Sequence, residues 1–319
     1  MKIKYSFLIV SLFALVFVSC GDDEGGTGGG SSRSSNVNAN RSVTEVYTSS
    51  LSYADALNVA QRMEVPKLKG NNNFFIIHRA TGIGVNFVTE WDMQKKSQRW
   101  SAYTMYHFSN SNSNIAGNGT RYSGNPQYPM DEDMSEEYYW TQDYFWGSGF
   151  DHGHVVPSAD RLYSNSANYQ TFYLTNMQPM SNNFNCGVWG NMENLLRAWA
   201  KFQSGGNKFA DTLYVVKGGT IDAEAQILKR ISGKLIVPKY YYMAVLCKNN
   251  KTGAENNYGY KAMAFWVEHK DGQPSGDLSR YAISVAELEQ KTGIDFFCNL
   301  PDNIENAVEN TYSRNVWNW

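Results

Sequence analysis

After one long apolar stretch at residues 7–18, hydrophobic positions recur in short segments divided by Gly, Asn, Ser and Pro. Residues 74–78 make an apolar run of strand length, and 82–88, with Gly82 and Gly84, form a second candidate. Residues 99–108 alternate and are rich in aromatics, as a half-buried strand is. Further strands are predicted at 151–157, 170–175, 213–216, 235–237, 240–246 and 262–268. Helical spacing is confined to fewer places. Residues 53–63 suit a short helix, and 188–202 carry an apolar stripe. In a third helix Ser284 and Glu287 form a capping box, and Gly293 stands at the stop position. Residues 109–119 are rich in Asn, Ser and Gly and read as loop. No repeat of about 20–50 residues is visible, and strands do not alternate regularly with helices. The pattern predicts an α+β fold with a mainly antiparallel central sheet and flanking helices.

Composition narrows the class without changing that picture. Of 319 residues, 42% are hydrophobic and 14% aromatic, so a core can be buried and global disorder is excluded. Only the first apolar stretch approaches membrane length, which excludes a multi-span membrane protein. Lys2 and Lys4 precede it and Ser19-Cys20 follow, the layout of an export signal over residues 1–20. The ending Phe17-Val18-Ser19-Cys20 resembles a bacterial lipobox, with Phe17 in place of the usual leucine. That resemblance implies a lipid on Cys20 and attachment to the bacterial outer membrane. Asp22-Asp23-Glu24 resembles the export tag of some surface-exposed lipoproteins, which would face outside. Residues 21–45, rich in Gly, Ser and Asn, read as a flexible tether. Residues 46–319 remain as a single domain.

Charge is nearly balanced, with 28 Lys and Arg against 30 Asp and Glu, a net of −2. Residues 1–20 hold two lysines and no acid, so without them 26 face 30 and the net is −4. Global charge therefore does not draw a polyanion to the protein; local arginines and a metal ion would have to. Besides Cys20 the chain has Cys186, Cys247 and Cys298. An oxidising compartment permits one disulfide among these three and leaves the pair open.

Candidate chemistry is concentrated in residues 121–202. Two of the five histidines fall within Asp151-His152-Gly153-His154. On a strand both rings would project to one face and Asp151 to the other. Such a pair needs water, a metal or a partner, because unpaired burial is costly. His78, His107 and His269 show no ligand spacing and read as structural or exposed, and Lys95-Lys96 as solvated. Thr175-Asn176-Met177 and Asn185-Cys186-Gly187-Val188-Trp189 follow. Counting about 100° per residue from Asn185, the residues Trp189, Met192, Leu196 and Trp199 form one stripe with Glu193 and Arg197 at its edge. Glu193 and Arg197 are also an i,i+4 acid–base pair. A helix so built packs its stripe on the preceding strands and presents Asn185, Glu193 and Arg197 to one crevice.

The order Asp-x-Gly-His, Asn-Met-x-Pro, then Asn-x-Gly-x-Trp with Glu and Arg downstream resembles the DNA/RNA non-specific endonucleases. These belong to the ββα-metal, or His-Me finger, group, and the motifs cover residues 121–200. The resemblance implies a finger made of strand 151–157, strand 170–175 and helix 188–202. It further implies that His154 is the general base, taking a proton from the attacking water. Asn185 matches the sole direct protein ligand of Mg²⁺, with Mn²⁺ able to substitute. Glu193 matches the acid that holds a metal-bound water, and Arg197 a group on the scissile phosphate. Arg121 stands near where the family has another phosphate-binding arginine, with Arg99 as its rival. The resemblance makes Asp151, His152 and Asn176 supporting residues. His152 replaces the family's usual arginine and exchanges a permanent charge for one that titrates near neutrality. Weaker substrate binding, or activity shifted toward lower pH, is expected from that change.

The residue types suit the chemistry. A neutral imidazole can accept a proton at ordinary pH, and an amide oxygen is a hard ligand of the kind Mg²⁺ takes. The implied substrates are DNA and RNA, cut to leave 5′-phosphate ends. No helix-turn-helix, zinc finger or long basic helix offers to read base edges, so phosphate contact without sequence preference is expected. The competing class is a non-catalytic surface lipoprotein that binds glycan or protein through its Tyr and Trp side chains. That class leaves the ordered His/Asn/Glu/Arg set unexplained.

Overall fold

Side chains of the central strands are buried on both faces, and helices cover each face. The computed structural model describes residues 35–44, 46–47, 51–106, 119–200, 209–249 and 259–319. The export signal with Cys20, most of the tether, and His107 lie outside the described residues. In chain order the first strands are β1 (Val46–Tyr47), β2 (Asn73–Ala80), β3 (Gly84–Asp92), β4 (Ser97–Tyr106), β5 (Asp151–His154) and β6 (Met177–Met180). They are followed by β7 (Thr212–Gly219), β8 (Ile227–Ile231), β9 (Leu235–Pro238), β10 (Tyr240–Lys248), β11 (Tyr260–Glu268) and β12 (Ala282–Ile283). The helices are α1 (Tyr53–Ala60), α2 (Asn165–Gln170), α3 (Asn182–Phe184), α4 (Gly190–Ala200), α5 (Val285–Thr292) and α6 (Asp302–Asn310).

One sheet takes eight of the strands in the order β1-β2-β3-β4-β7-β10-β11-β12. β1 pairs parallel with β2, and every other neighbouring pair is antiparallel. The fold is α+β with a mainly antiparallel sheet, as the spacing of short segments predicts. Along β10, Tyr242, Ala244 and Leu246 enter one core, and Tyr241, Met243 and Val245 enter the other. A strand buried on both faces reads as an unbroken apolar run, which is why residues 240–246 are legible. The first core is closed by Ala56 and Val59 of α1, Val285 and Leu288 of α5, and Ile304 and Val308 of α6. The second is closed by Met192, Leu196 and Trp199 of α4, the stripe the helical spacing predicts. At roughly 1.5–3 kcal/mol per large apolar side chain buried, those three hold α4 on the sheet by several kcal/mol. Trp199 also meets Trp317 and Trp319, with ring centroids 4.9 and 6.0 Å away, and its Nε1 donates to the Asn318 carbonyl.

The finger differs in detail from the expectation. β5 pairs antiparallel with β6, Asp151 opposite Met180 and His154 opposite Met177. Residues 170–175 are not that second strand: they finish α2 and turn toward β6. α2 is started by Ser164, whose side chain accepts from the Ala167 N–H, and the run Phe172-Tyr173 is buried in the turn rather than in a sheet. β6 carries Pro179, a residue that weakens any strand signal. The helix predicted from 188 begins at Gly190, after a wide turn over Asn185–Trp189 in which Gly187 (φ −93°, ψ −112°) leaves the helical range. β1, β8, β12, α2 and α6 had no counterpart in the periodicity. Among the described residues no helix is long and apolar enough to cross a membrane. No disulfide joins Cys186, Cys247 and Cys298.

Candidate active site

β5 is fitted into place by neighbours that leave no spare room. A Cβ on Gly153 would lie 2.4 Å from Met180 Cγ and 2.6 Å from the Gln178 carbonyl oxygen, so this position of Asp-His-Gly-His needs glycine. On β6, the Gln178 side chain donates to the Gln98 carbonyl (3.1 Å) and accepts from the Gly219 N–H (2.7 Å). Tyr241 donates its hydroxyl to the Pro179 carbonyl (2.8 Å). These three hydrogen bonds anchor the finger to the large sheet. Asn176 then ties the chain leaving β5. Its Oδ1 accepts from the Val156 N–H (2.9 Å), and its Nδ2 donates to the carbonyls of Val156 (2.9 Å) and Thr171 (2.7 Å). With both donors and the acceptor used, this fully buried amide is scaffold. His269 is likewise structural: its Nε2 accepts from the Ser181 N–H (2.8 Å) and its Nδ1 donates to the Pro238 carbonyl (2.9 Å).

β5 and the turn before α4 face each other across a cleft of about 340 Å³. His154 and Asn185 both line it, together with Arg121, Tyr128, Asp151 and His152. Asp151 Oδ2 accepts from Asn185 Nδ2 (3.0 Å) and from Asn182 Nδ2 (3.0 Å). With its nitrogen so engaged, Asn185 presents its Oδ1. Strict alternation puts Asp151 on the face opposite the histidines, yet it lies on the cleft with them. It is the first residue of a short strand, and its hydrogen bonds decide its direction.

The His154 ring stands edge-on to Phe172, centroids 4.8 Å apart at 85°. Its Nε2 is buried without a hydrogen-bond partner. Burial pushes the pKa down to about 3, and Arg121, Lys217 and His152 nearby push the same way, while a hydrogen bond to the His152 carbonyl opposes them. The ring is therefore neutral at ordinary pH, with the Nε2 lone pair available. This is well below the unperturbed value near 6.5 that the sequence alone suggests.

Glu193 and Arg197 are not among the lining residues; they stand in a charge network behind the cleft. Lys217 of β7 is fully buried, donates to Glu193 Oε1 at 2.6 Å and lies 4.6 Å from the centre of the Trp189 ring. Burial raises the Glu193 pKa and lowers that of Lys217, while each charge resists the shift of the other. Arg197 donates from Nη1 to Asp160 Oδ1 (2.7 Å) and from Nη2 to Asn194 Oδ1 (2.7 Å). Asp160 also accepts from the Tyr103 hydroxyl (2.9 Å). Sequence reasoning missed Lys217 and Asp160. A lone lysine inside the apolar run 213–219 is the one signal that could have found the first.

His152 sits in the cleft wall as part of an aromatic stack. Its ring lies parallel to Tyr128 (3.7 Å, 6°) and Phe145 (4.4 Å, 19°), and its Nε2 is 2.8 Å from Asp143 Oδ2. Where the family usually has arginine, this chain braces a loop. Arg121 is exposed on the cleft with its guanidinium 4.9 Å from the Phe172 ring centre. Its rival Arg99 is buried and bound to Glu90 and to Asp222 (Nε to Oδ2, 2.9 Å), away from the cleft.

Among the described residues, two places could hold a divalent ion. Asn185 Oδ1 is a neutral, hard oxygen on a cleft with room for an ion that keeps several waters, each occupying about 30 Å³. Those features fit Mg²⁺. Elsewhere, His78, Asp131 and Asp133 offer ligand atoms within 4.8 Å of one another. There His78 Nε2 and Asp131 Oδ2 are 2.8 Å apart and Thr175 Oγ1 donates to the same oxygen, while His78 Nδ1 is buried without a hydrogen-bond partner.

This arrangement has counterparts. The sequence profile of the DNA/RNA non-specific endonucleases matches residues 73–303. A protein of Nostoc sp. described as a nuclease is 34% identical over 164 residues, covering 51% of this chain and 56% of that protein. The mitochondrial nuclease EXOG of Homo sapiens is 26% identical over 227 residues, covering 67% of this chain and 56% of its own length. The chain thus spans a little over half the length of these curated relatives. A solved chain of the EndoG/EndoGI complex is similar in fold, with a TM-score of 0.54 at 16% identity, over 72% of this chain and 89% of that one. Since the profile spans both β5 and α4 and covers well over half of the residues, this chain belongs to the DNA/RNA non-specific endonuclease family.

Proposed function

We propose that this protein is a magnesium-dependent nuclease that hydrolyses phosphodiester bonds of DNA and RNA with little sequence preference, Mn²⁺ being able to substitute. The observation that carries the reading is the unpartnered Nε2 of a neutral His154 on the same cleft as the Asn185 amide. In this reading His154 Nε2 takes a proton from water as the water oxygen attacks phosphorus. The bond from phosphorus to the 3′ oxygen breaks, that oxygen leaves with a proton from cleft water, and the phosphate stays on the 5′ end. Arg121 binds a phosphate oxygen from the cleft wall. Asn185 Oδ1 would hold the metal ion, which when bound neutralises charge on the phosphate and on the leaving oxygen. Glu193, paired with Lys217, would hold water for that ion, and Arg197, held in place by Asp160, would add positive charge toward the scissile phosphate from behind the cleft. Rate enhancement typically requires roughly 8–23 kcal/mol, and a single donor is worth about 3–4, so these groups act together. A net charge of −4 without residues 1–20 and contacts confined to phosphate support weak, salt-sensitive binding. Export and lipid attachment through Cys20 belong to the same proposal, with membrane release of the Cys20→Ala protein as their test.

Purified protein incubated with supercoiled plasmid, with and without EDTA, tests the activity. Metal-dependent cutting is expected, and His154→Ala is expected to slow it by about 10²–10⁴-fold with an unchanged circular dichroism spectrum. Undiminished cutting by His154→Ala would overturn the assignment of the base. Absence of cutting by every protein and metal tested would favour the non-catalytic surface lipoprotein.

A further inference from the structure

We infer that the loop over residues 143–150 is a nucleobase-stacking subsite on the cleft wall, with Trp146 as its platform, so that unpaired strands are preferred over duplex. The substrate in this inference rests on the nuclease reading; the position of the platform does not. Trp146 is 67% exposed although it belongs to the cleft lining. A single exposed apolar side chain is ordinary. What distinguishes this one is its bracing. The Trp146 ring meets His152 at 5.1 Å and 61° and Tyr128 at 6.3 Å and 56°, against the flat stack of Tyr128, His152 and Phe145. Asp143 fixes that stack from both ends, with Oδ2 at 2.8 Å from His152 Nε2 and Oδ1 accepting from the Phe145 N–H at 2.9 Å. The Ser148 N–H donates to the Phe145 carbonyl (3.0 Å) and closes the turn that carries Trp146. Gly147 and Gly149 then adopt φ of +73° and +82°, which side chains rarely allow, so the backbone itself sets the loop's shape. An aromatic face that is open to solvent yet held in orientation has little ordering entropy left to lose on binding.

Charge supplies the identity of the occupant. Lys229 Nζ of β8 lies 4.7 Å from the centre of the Phe150 ring, and Phe150 lines the same cleft as Trp146 and Arg121. Cations thus flank the aromatic wall, as a chain of alternating bases and phosphates requires. Every base has a π-face, so stacking adds affinity without demanding a sequence. In a duplex those faces are covered by neighbouring bases, and the platform gains nothing unless a base is unstacked first. The preference for unpaired strands follows from that difference.

The test compares wild type and Trp146→Ala on a single-stranded oligothymidylate, on the same oligomer with abasic residues flanking the cleaved phosphate, and on a duplex of equal length. Trp146→Ala is expected to lower kcat/KM on the oligothymidylate by roughly tenfold, mainly through KM, while Trp146→Phe keeps most of the rate. Removing the bases should cost wild type a similar factor, and removing both partners should cost no more than removing either. Duplex cutting should change by less than about twofold, since no base face is offered there. Additive losses, or equal losses on single strand and duplex, overturn the inference. Fluorescence anisotropy of a labelled oligothymidylate in EDTA gives a readout without turnover. Binding that depends on Trp146 in a protein that cuts none of the substrates would sink the nuclease reading and leave the subsite standing. Cutting that ignores Trp146 would do the reverse.

Discussion

One nitrogen of the His154 ring faces a carbonyl and the other is buried without a partner, and this burial sets how the residue responds to acid. With its pKa near 3 in the folded protein and about 6.5 in the unfolded chain, the proton is bound only by the unfolded state between those values. Stability therefore falls as pH drops through that window. His154→Gln removes this contribution, so the variant's melting temperature is expected to fall less than that of wild type on acidification from about pH 7 to about pH 4. Thermal melts at a series of pH values measure it, and parallel curves would count against a buried neutral ring. His154 and Asn185 were legible in the sequence because each sits in a local motif. Lys217 and Asp160 were not, because their partners Glu193 and Arg197 are 24 and 37 positions away and only the fold brings them together.

The finger is the element whose limits were hardest to read. Its strands are four residues each, too short to show a period, and its second strand contains Pro179. The stronger apolar signal at 170–175 belongs to a buried turn, because hydrophobicity reports burial and not which backbone shape achieves it. The helix was legible because α4 rests on one apolar stripe. What fixes the finger's position is the closeness of β5 to β6 at Gly153. Gly153→Ala forces a methyl against a backbone oxygen and Met180, and overpacking of this sort costs about 1–3 kcal/mol. The variant is expected to melt at lower temperature, and to lose activity even where circular dichroism shows it folded, since His154 is the next residue. Activity that simply tracks the folded fraction would show that the strand adapts without moving the ring.

Across the whole molecule the two sheet faces do different work: one carries the finger and its cleft, the other is closed by α1, α5 and α6. Acids are crowded on the second side. Burial, followed by the charges of Glu289, Glu305 and Asp295, pushes the pKa of Glu309 up to about 10. The folded protein thus holds a proton that the unfolded chain releases near 4.5, and stability falls as pH rises between those values. Glu309→Gln keeps the shape and removes the titration, so its melting temperature is expected to exceed that of wild type at about pH 8 and to match it near pH 4. A variant that melts earlier than wild type at both pH values would mean that the carboxylate is charged and paired.

The cluster of Trp199, Trp317 and Trp319 bears on the order in which the molecule is made. A ribosome releases residues in sequence, so α4 emerges before β7, β10, β11 and these two indoles. Until they arrive, the stripe of α4 can meet only the earlier members of its core, such as Phe87, Tyr103 and Met180. The helix behind the cleft is thus fully packed only once residues 317–319 have been made, a delay written into the connectivity.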